Sequence, residues 1–170
     1  EKLTERGVTT NATVSFSVSQ AVACAEAVER GLVKAQKNGN STQQLIPFIT
    51  LMVGRIDDYI NDVSQGRVDL SPGLAHWAGI AVVKKAYDIF KKRGYRSKLL
   101  VAAYRHQKHW TEFVGGNLVL SIPPKWLKCF DESNISVESR IHSPIEDEKL
   151  YELNKLEEFK ILFDEKGMRQ

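Results

Sequence analysis

Two arginines carry the clearest chemical signal in the sequence. Arg55 and Arg105 each follow an apolar run that reads as a strand, at the ends of successive strands. A pair so placed suits a phosphate, because guanidinium forks give charge-assisted bidentate bonds. Either arginine alone has a simpler reading: Arg55 could pair with Asp57 or Asp58, and Arg105 could be a plain surface residue. Two at corresponding positions favour an anion site. Asn11 and Thr13 lie two residues apart in a β-branched run, so both side chains point to one face of a strand. Thr50 sits within the second apolar run, and Tyr104, Arg105 and His106 close the third. His106 and His109 are three apart on an expected short helix, a spacing that can bind zinc. No third ligand stands at a sensible offset, so no metal is expected. No Gly-x-Gly-x-x-Gly or phosphate-loop motif occurs, so no cofactor is expected either.

The elements that must position these residues follow from the apolar pattern. Val8 to Phe16 reads as a first strand, and Ser17 or Ser19 caps a helix striped by Ala21, Val22, Ala25 and Val28. Gly31 and the Asn38 to Ser41 stretch are expected to break that helix into a polar loop. A second strand spans Leu45 to Val53, restricted at its start by Pro47. Ser71 and Pro72 are expected to open a long helix that stops at Gly94. Lys98 to Tyr104 and Leu118 to Ile122 read as the third and fourth strands, with Lys128 to His142 irregular. Ser143-Pro144-Ile145-Glu146 resembles a capping box opening one last helix, faced by Leu150, Leu153, Leu156, Phe159 and Phe163. Continuous apolar runs between helices predict a parallel sheet covered by helices, hence an α/β fold with its chemistry at the C-terminal strand ends.

Composition bounds the rest. The 170 residues suit one domain, and 42% apolar with 26% charged is ordinary for a globular chain. The net charge is +3, with the surplus over residues 1–145 and an acidic stretch from Glu146. Basic residues scatter over helix ends rather than forming a stripe with interleaved aromatics, which disfavours nucleic acid and suits a small anionic substrate. Trp77, Trp110 and Trp126 read as packing residues. Leu45 to Gly54, the longest uncharged apolar stretch, falls short of the ~20 residues that cross a bilayer. No leader pattern is visible, and Cys24 and Cys129 have no metal spacing, which leads to the expectation of reduced thiols in a cytoplasmic protein.

The strand-end residues also resemble a known family. Asn11-Ala12-Thr13 followed by Phe16-Ser17 and Gln20-Ala21 is similar to the Asn-x-Thr strand and Phe-Ser-x-x-Gln-Ala helix start of transaldolases. Val53-Gly54-Arg55-Ile56-Asp57-Asp58 resembles their Val-Gly-Arg strand end. Ala102-Ala103-Tyr104-Arg105 is similar to their Ala-Ser-Phe-Arg, and Leu120-Ser121-Ile122-Pro123-Pro124 resembles their last strand. The matches are collinear from Glu1 to about Leu127.

The resemblance implies a (β/α)8 barrel of TIM type, of which this chain would be the C-terminal half: four βα units plus a C-terminal helix. It implies transfer of a three-carbon ketol unit between sugar phosphates through a lysine Schiff base, in the pentose phosphate pathway. Asn11 would bond a substrate hydroxyl and Thr13 would hold the proton-shuttling water, while Thr50, Arg55 and Arg105 would bind phosphate. Ala103 for a serine, His106 for an asparagine and a long loop from Gly31 to Gln44 depart from the pattern and leave the substrate open. The Schiff-base lysine would lie before Glu1, and Glu1 to Gly7 reads as the tail of a preceding helix. Within the chain, Lys98 would stand at the wrong end of its strand, Lys125 reads as a solvated turn residue, and Lys34 and Lys84 read as solvated. Residues 1–142 are expected to form the half-barrel and 143–170 the helix that packs on it. The expected partners are a sugar phosphate and either the N-terminal half or a second copy; a non-catalytic half-barrel completed by dimerisation is the alternative.

Overall fold

The computed structural model describes residues 1–67 and 70–168. A short helix α1 (Lys2–Glu5) ends at Gly7 and leads into β1 (Asn11–Ser15), then a long α2 (Val18–Lys37). Next come β2 (Phe48–Met52), α3 (Val53–Ser64), a 3-10 turn (Leu74–Trp77), α4 (Ala78–Arg93) and β3 (Lys98–Ala102). The chain continues through α5 (Lys108–Thr111), β4 (Val119–Leu120), α6 (Pro124–Asp131), α7 (Asp147–Leu153) and α8 (Glu157–Phe163). The strands form one parallel sheet in the order β1-β2-β3-β4, and the sheet is not closed. Parallel strands joined by helical crossovers make this an α/β fold consistent with part of a TIM-type barrel.

Strand alternation divides the sheet into two unlike faces. Ile49, Leu51, Leu99 and Val101 are buried among Val22, Ala25, Ile80 and Val83 of the covering helices. The opposite face carries Asn11, Thr13, Phe48, Thr50, Met52, Lys98, Leu100 and Val119, of which Thr50 is buried and the others half-buried or exposed. The apolar runs suggest cover on both faces; among the described residues, helices cover one. Leu153, Leu156, Phe159 and Leu162 join the same buried cluster. Trp110 packs against Trp126 and Phe130 at 5.9 and 5.6 Å between ring centres.

Several boundaries differ from the sequence reading, each for a physical reason. Gly31 does not break α2; a Cβ there would come within 2.6 Å of the Glu1 carbonyl and 2.7 Å of Thr4 Cβ, so glycine lets α1 cross. The expected loop from Gly31 therefore begins only at Asn38. Val8 to Thr10 lie outside β1, and Val53 starts α3 rather than ending a strand. Ser71 does not cap a helix: its hydroxyl and N–H both donate to the Glu152 carboxylate. The chain turns through Gly73 at φ 74°, and α4 proper begins at Ala78. Ser143 is not a cap either, since α7 starts after Glu146. The C-terminal helix is two helices separated at Asn154, whose amide donates to the Leu150 carbonyl at 2.7 Å. Residues 128–131, read as irregular, continue α6.

Lys84 is the largest correction. It is buried, not solvated, and its ammonium donates to Glu112 at 2.8 Å and to the Arg140 and Ser143 carbonyls at 2.9 Å each. A buried ammonium requires such partners, so it draws residues 140–143 onto α4 and away from the expected cap.

Candidate functional site

The site is built where β1, β2 and β3 end. Thr50 Oγ1 donates to Asn11 Oδ1 at 2.7 Å, tying β1 to β2 and engaging the carbonyl of an otherwise exposed asparagine. Thr13 is exposed one step further along. The pairing of Ala12 with Ile49 and Ser15 with Leu51 makes Thr13 and Val14 a bulge opposite Thr50. Val14 there has φ 65°, and Ala103, just past β3, has φ 66°. A β-branched residue in the left-handed region is strained. Both strained residues border the candidate site.

Because α3 begins directly after β2, Arg55 falls in its first turn, and Asp57 and Asp58 follow on the same helix. Gly54 permits this: its N–H donates to the Ala103 carbonyl at 3.1 Å, and a Cβ would overlap that oxygen. Arg105 reaches back across the gap. Its Nε and Nη2 donate to the Asp58 carboxylate at 3.0 and 2.7 Å, and its Nη1 donates to the Tyr104 carbonyl at 3.1 Å. Arg55 Nη1 stands 3.9 Å from Asp58 Oδ2. The two arginines therefore converge on one carboxylate, at an open depression of about 520 Å³ lined also by Asp57, Asn61, Asp62 and His76. Arg55 and Arg105 do meet Asp58, and they do so together.

Behind them lies a second constellation. Asp57 is buried, and Oδ1 accepts the Gly79 N–H at 2.8 Å near the N-terminus of α4, where a helix favours an anion. Its Oδ2 accepts from His109 Nε2 at 2.7 Å and from His106 Nε2 at 3.0 Å. His106 stacks on His76 at 4.5 Å, and its Nδ1 is buried without a partner. Burial opposes ionisation of Asp57, but the two imidazole N–H groups and the Gly79 N–H outweigh it and hold the carboxyl below its usual value. His109 is lowered too, by burial that outweighs the attraction of Asp57, which favours the neutral ring.

Asp57, His106 and His109 have the donor types of a metal site, with their ligand atoms within 4.8 Å of one another. The hydrogen bonding argues for protons instead. The Arg105 backbone N–H donates to His109 Nδ1 at 3.0 Å, so that nitrogen carries no proton and Nε2 carries the ring's single one. The nitrogen a metal would need is the one donating to Asp57. His109 in this arrangement does not fit a metal ligand.

The structure brings Arg55 and Arg105 together just past the C-terminal ends of β2 and β3, whereas Asn11 opens β1 and Thr50 lies in the middle of β2, linked by their own hydrogen bond, with Thr13 exposed in the β1 bulge. Thr50 differs in its use, since its one O–H goes to Asn11. Asp57 is the residue the sequence reading missed as a third partner for the histidines. The spacing of His106 and His109 was a signal; Asp57, 49 residues before His106, joins them only through the adjacency of β2 and β3.

Comparison with known proteins agrees with this architecture. The family model for transaldolase/fructose-6-phosphate aldolase matches residues 1–168. Transaldolase A of Pasteurella multocida (strain Pm70) is 31% identical over 141 residues, covering 83% of this chain and 38% of that protein. The chain therefore spans about two fifths of the length of the curated relative it matches. No described helix is long and apolar enough to cross a membrane. With an open parallel sheet alternating with helices and a match across almost the whole chain, the protein belongs to the transaldolase/fructose-6-phosphate aldolase family.

Proposed function

We propose that this chain supplies the phosphate-binding half of a transaldolase-like active site, in an enzyme of carbohydrate metabolism that moves a three-carbon ketol unit between sugar phosphates. The observation that carries the reading is the convergence of Arg55 and Arg105 on Asp58 at the C-terminal ends of β2 and β3. A phosphate can take the place of that carboxylate between the two guanidinium groups. Asn11, with its carbonyl engaged by Thr50, would present its amide N–H groups to a substrate hydroxyl. Thr13 would hold the water that carries protons, and Thr50, reoriented, would add a hydroxyl to the phosphate. The lysine nucleophile would come from sequence outside this chain. Lys98 begins β3, at the far end of the strand from Arg105, and Lys84 is committed to Glu112. The half-exposed open face of the sheet would be covered by an N-terminal half or a second copy.

The test is binding of fructose 6-phosphate to the chain and to its Arg55→Ala/Arg105→Ala variant. Loss of affinity in the variant supports the phosphate grip, and unchanged affinity overturns it. Borohydride trapping with the same sugar should give no adduct on this chain; an adduct on Lys125 would show that the nucleophile lies within it. A non-catalytic half-barrel completed by dimerisation would show as a phosphosugar-binding dimer that stays unreactive when mixed with a lysine-bearing N-terminal half.

A further inference from the structure

We propose that His109, locked in one tautomer by Asp57, is a positioning residue for Arg105 that acts through the Arg105 backbone N–H. The inference rests on the phosphate-binding reading of Arg105. Its geometry is a relay across three elements. Gly79 of α4 donates to Asp57 Oδ1, His109 Nε2 donates to Asp57 Oδ2, and the Arg105 N–H donates to His109 Nδ1. Asp57 makes the ring present an unprotonated Nδ1, and only an unprotonated nitrogen can accept that N–H. The Arg105 backbone needs such an anchor, because it follows Ala103, held at φ 66°. The side chain is then set by further contacts with Asp58 and with the Ala103 and Tyr104 carbonyls. One buried carboxylate thereby fixes a helix start and, through an imidazole, the root of an arginine. The titratable groups facing the His109 ring are Asp57 from α3, His106 and Tyr104 from its own segment, and His76 beyond His106.

Two substitutions separate positioning from packing. In His109→Asn the amide oxygen can occupy the Nδ1 position and still accept the Arg105 N–H, with the link to Asp57 given up. In His109→Gln the amide nitrogen can reach Asp57, but no acceptor faces Arg105. Inorganic phosphate is titrated into the chain and followed on the Arg105 amide and Nε–H resonances, with Arg105→Ala as control. The expectation is near wild-type affinity for His109→Asn and a loss of about five- to tenfold for His109→Gln, the worth of one hydrogen bond. If the larger glutamine retains affinity and asparagine loses it, side-chain volume is what counts and the inference fails. Should either variant not fold, the wild-type chain decides. The Arg105 amide should then titrate with the same midpoint as the His109 ring, since protonating Nδ1 removes its acceptor; an amide that ignores the ring overturns the inference. If Arg105→Ala leaves phosphate affinity unchanged, the phosphate reading fails by itself. The positioning claim is then judged on the Arg105 resonances of the Asn and Gln variants alone.

Discussion

Arg105 and Asp58 face each other as a two-pronged ion pair, with Nε and Nη2 at 3.0 and 2.7 Å from the carboxylate oxygens. The pair bridges α3 and the segment that follows β3, and Arg55 stands beside it. Asp58 thus both gathers the two arginines and competes with any other anion for them.

Competition has a measurable sign. Asp58→Asn should tighten inorganic phosphate binding, because the neutral amide gives up the guanidinium groups more readily. Asp58 is two-fifths exposed, so the pair is screened and modest. The gain should be about one and a half- to fivefold by titration calorimetry at low ionic strength, and smaller in added salt.

Acid should lower stability over two pH regions. His109 binds a proton less readily folded than unfolded, so the unfolded chain gains protons first as pH falls below the ordinary 6.5, and stability declines from there. His76, also lowered by burial, adds to the same slope. Asp57 is lowered as well; its contribution is present above the ordinary carboxylate value near 3.8 and is lost as pH falls through the still lower folded value. Urea unfolding at successive pH values should show both regions. His109→Asn should flatten the first without abolishing it.

The Lys84–Glu112 pair should be costlier to break than to replace whole. Lys84→Met leaves a buried carboxylate whose other cation, Arg140, stands 3.8 Å away. The cost should be about 3–5 kcal/mol by urea denaturation. Lys84→Met combined with Glu112→Leu should recover only part of it, because no uncompensated carboxylate remains but the Arg140 and Ser143 carbonyls still lose their donor.

Tyr104 offers a gain. Its hydroxyl is buried with no hydrogen-bond partner among the described residues, and burial raises its pKa. Tyr104→Phe should stabilise by about 1 kcal/mol, since an unsatisfied polar atom is removed without changing the ring. In calorimetry this corresponds to a rise in Tm of about 2–4 °C.

What was legible in the sequence follows from local physics. The strand cores were readable because Ile49, Leu51, Leu99 and Val101 lie in short apolar runs bounded by turn residues. Arg55 and Arg105 were readable as a pair because a parallel sheet places the ends of successive strands together. Helix starts were less so. Ser71 and Ser143 have the right cap chemistry, yet Glu152 takes the hydroxyl of one and Lys84 the carbonyl of the other. Both competitors are distant in the chain, and a local pattern cannot weigh them.

The sequence by itself determined the α/β alternation, the strand-end chemistry and the family resemblance, all of which depend on residue type and order. Only the tertiary structure decided how those residues are used. The adjacency of β2 and β3 brings Asp57 under His106 and His109, across 49 and 52 residues. Burial there favours the neutral ring, while hydrogen bonds that no spacing in the chain records keep the carboxylate ionised against that same burial. The same burial turned Lys84 from a solvated helix residue into the tie that holds residues 140–143 against α4.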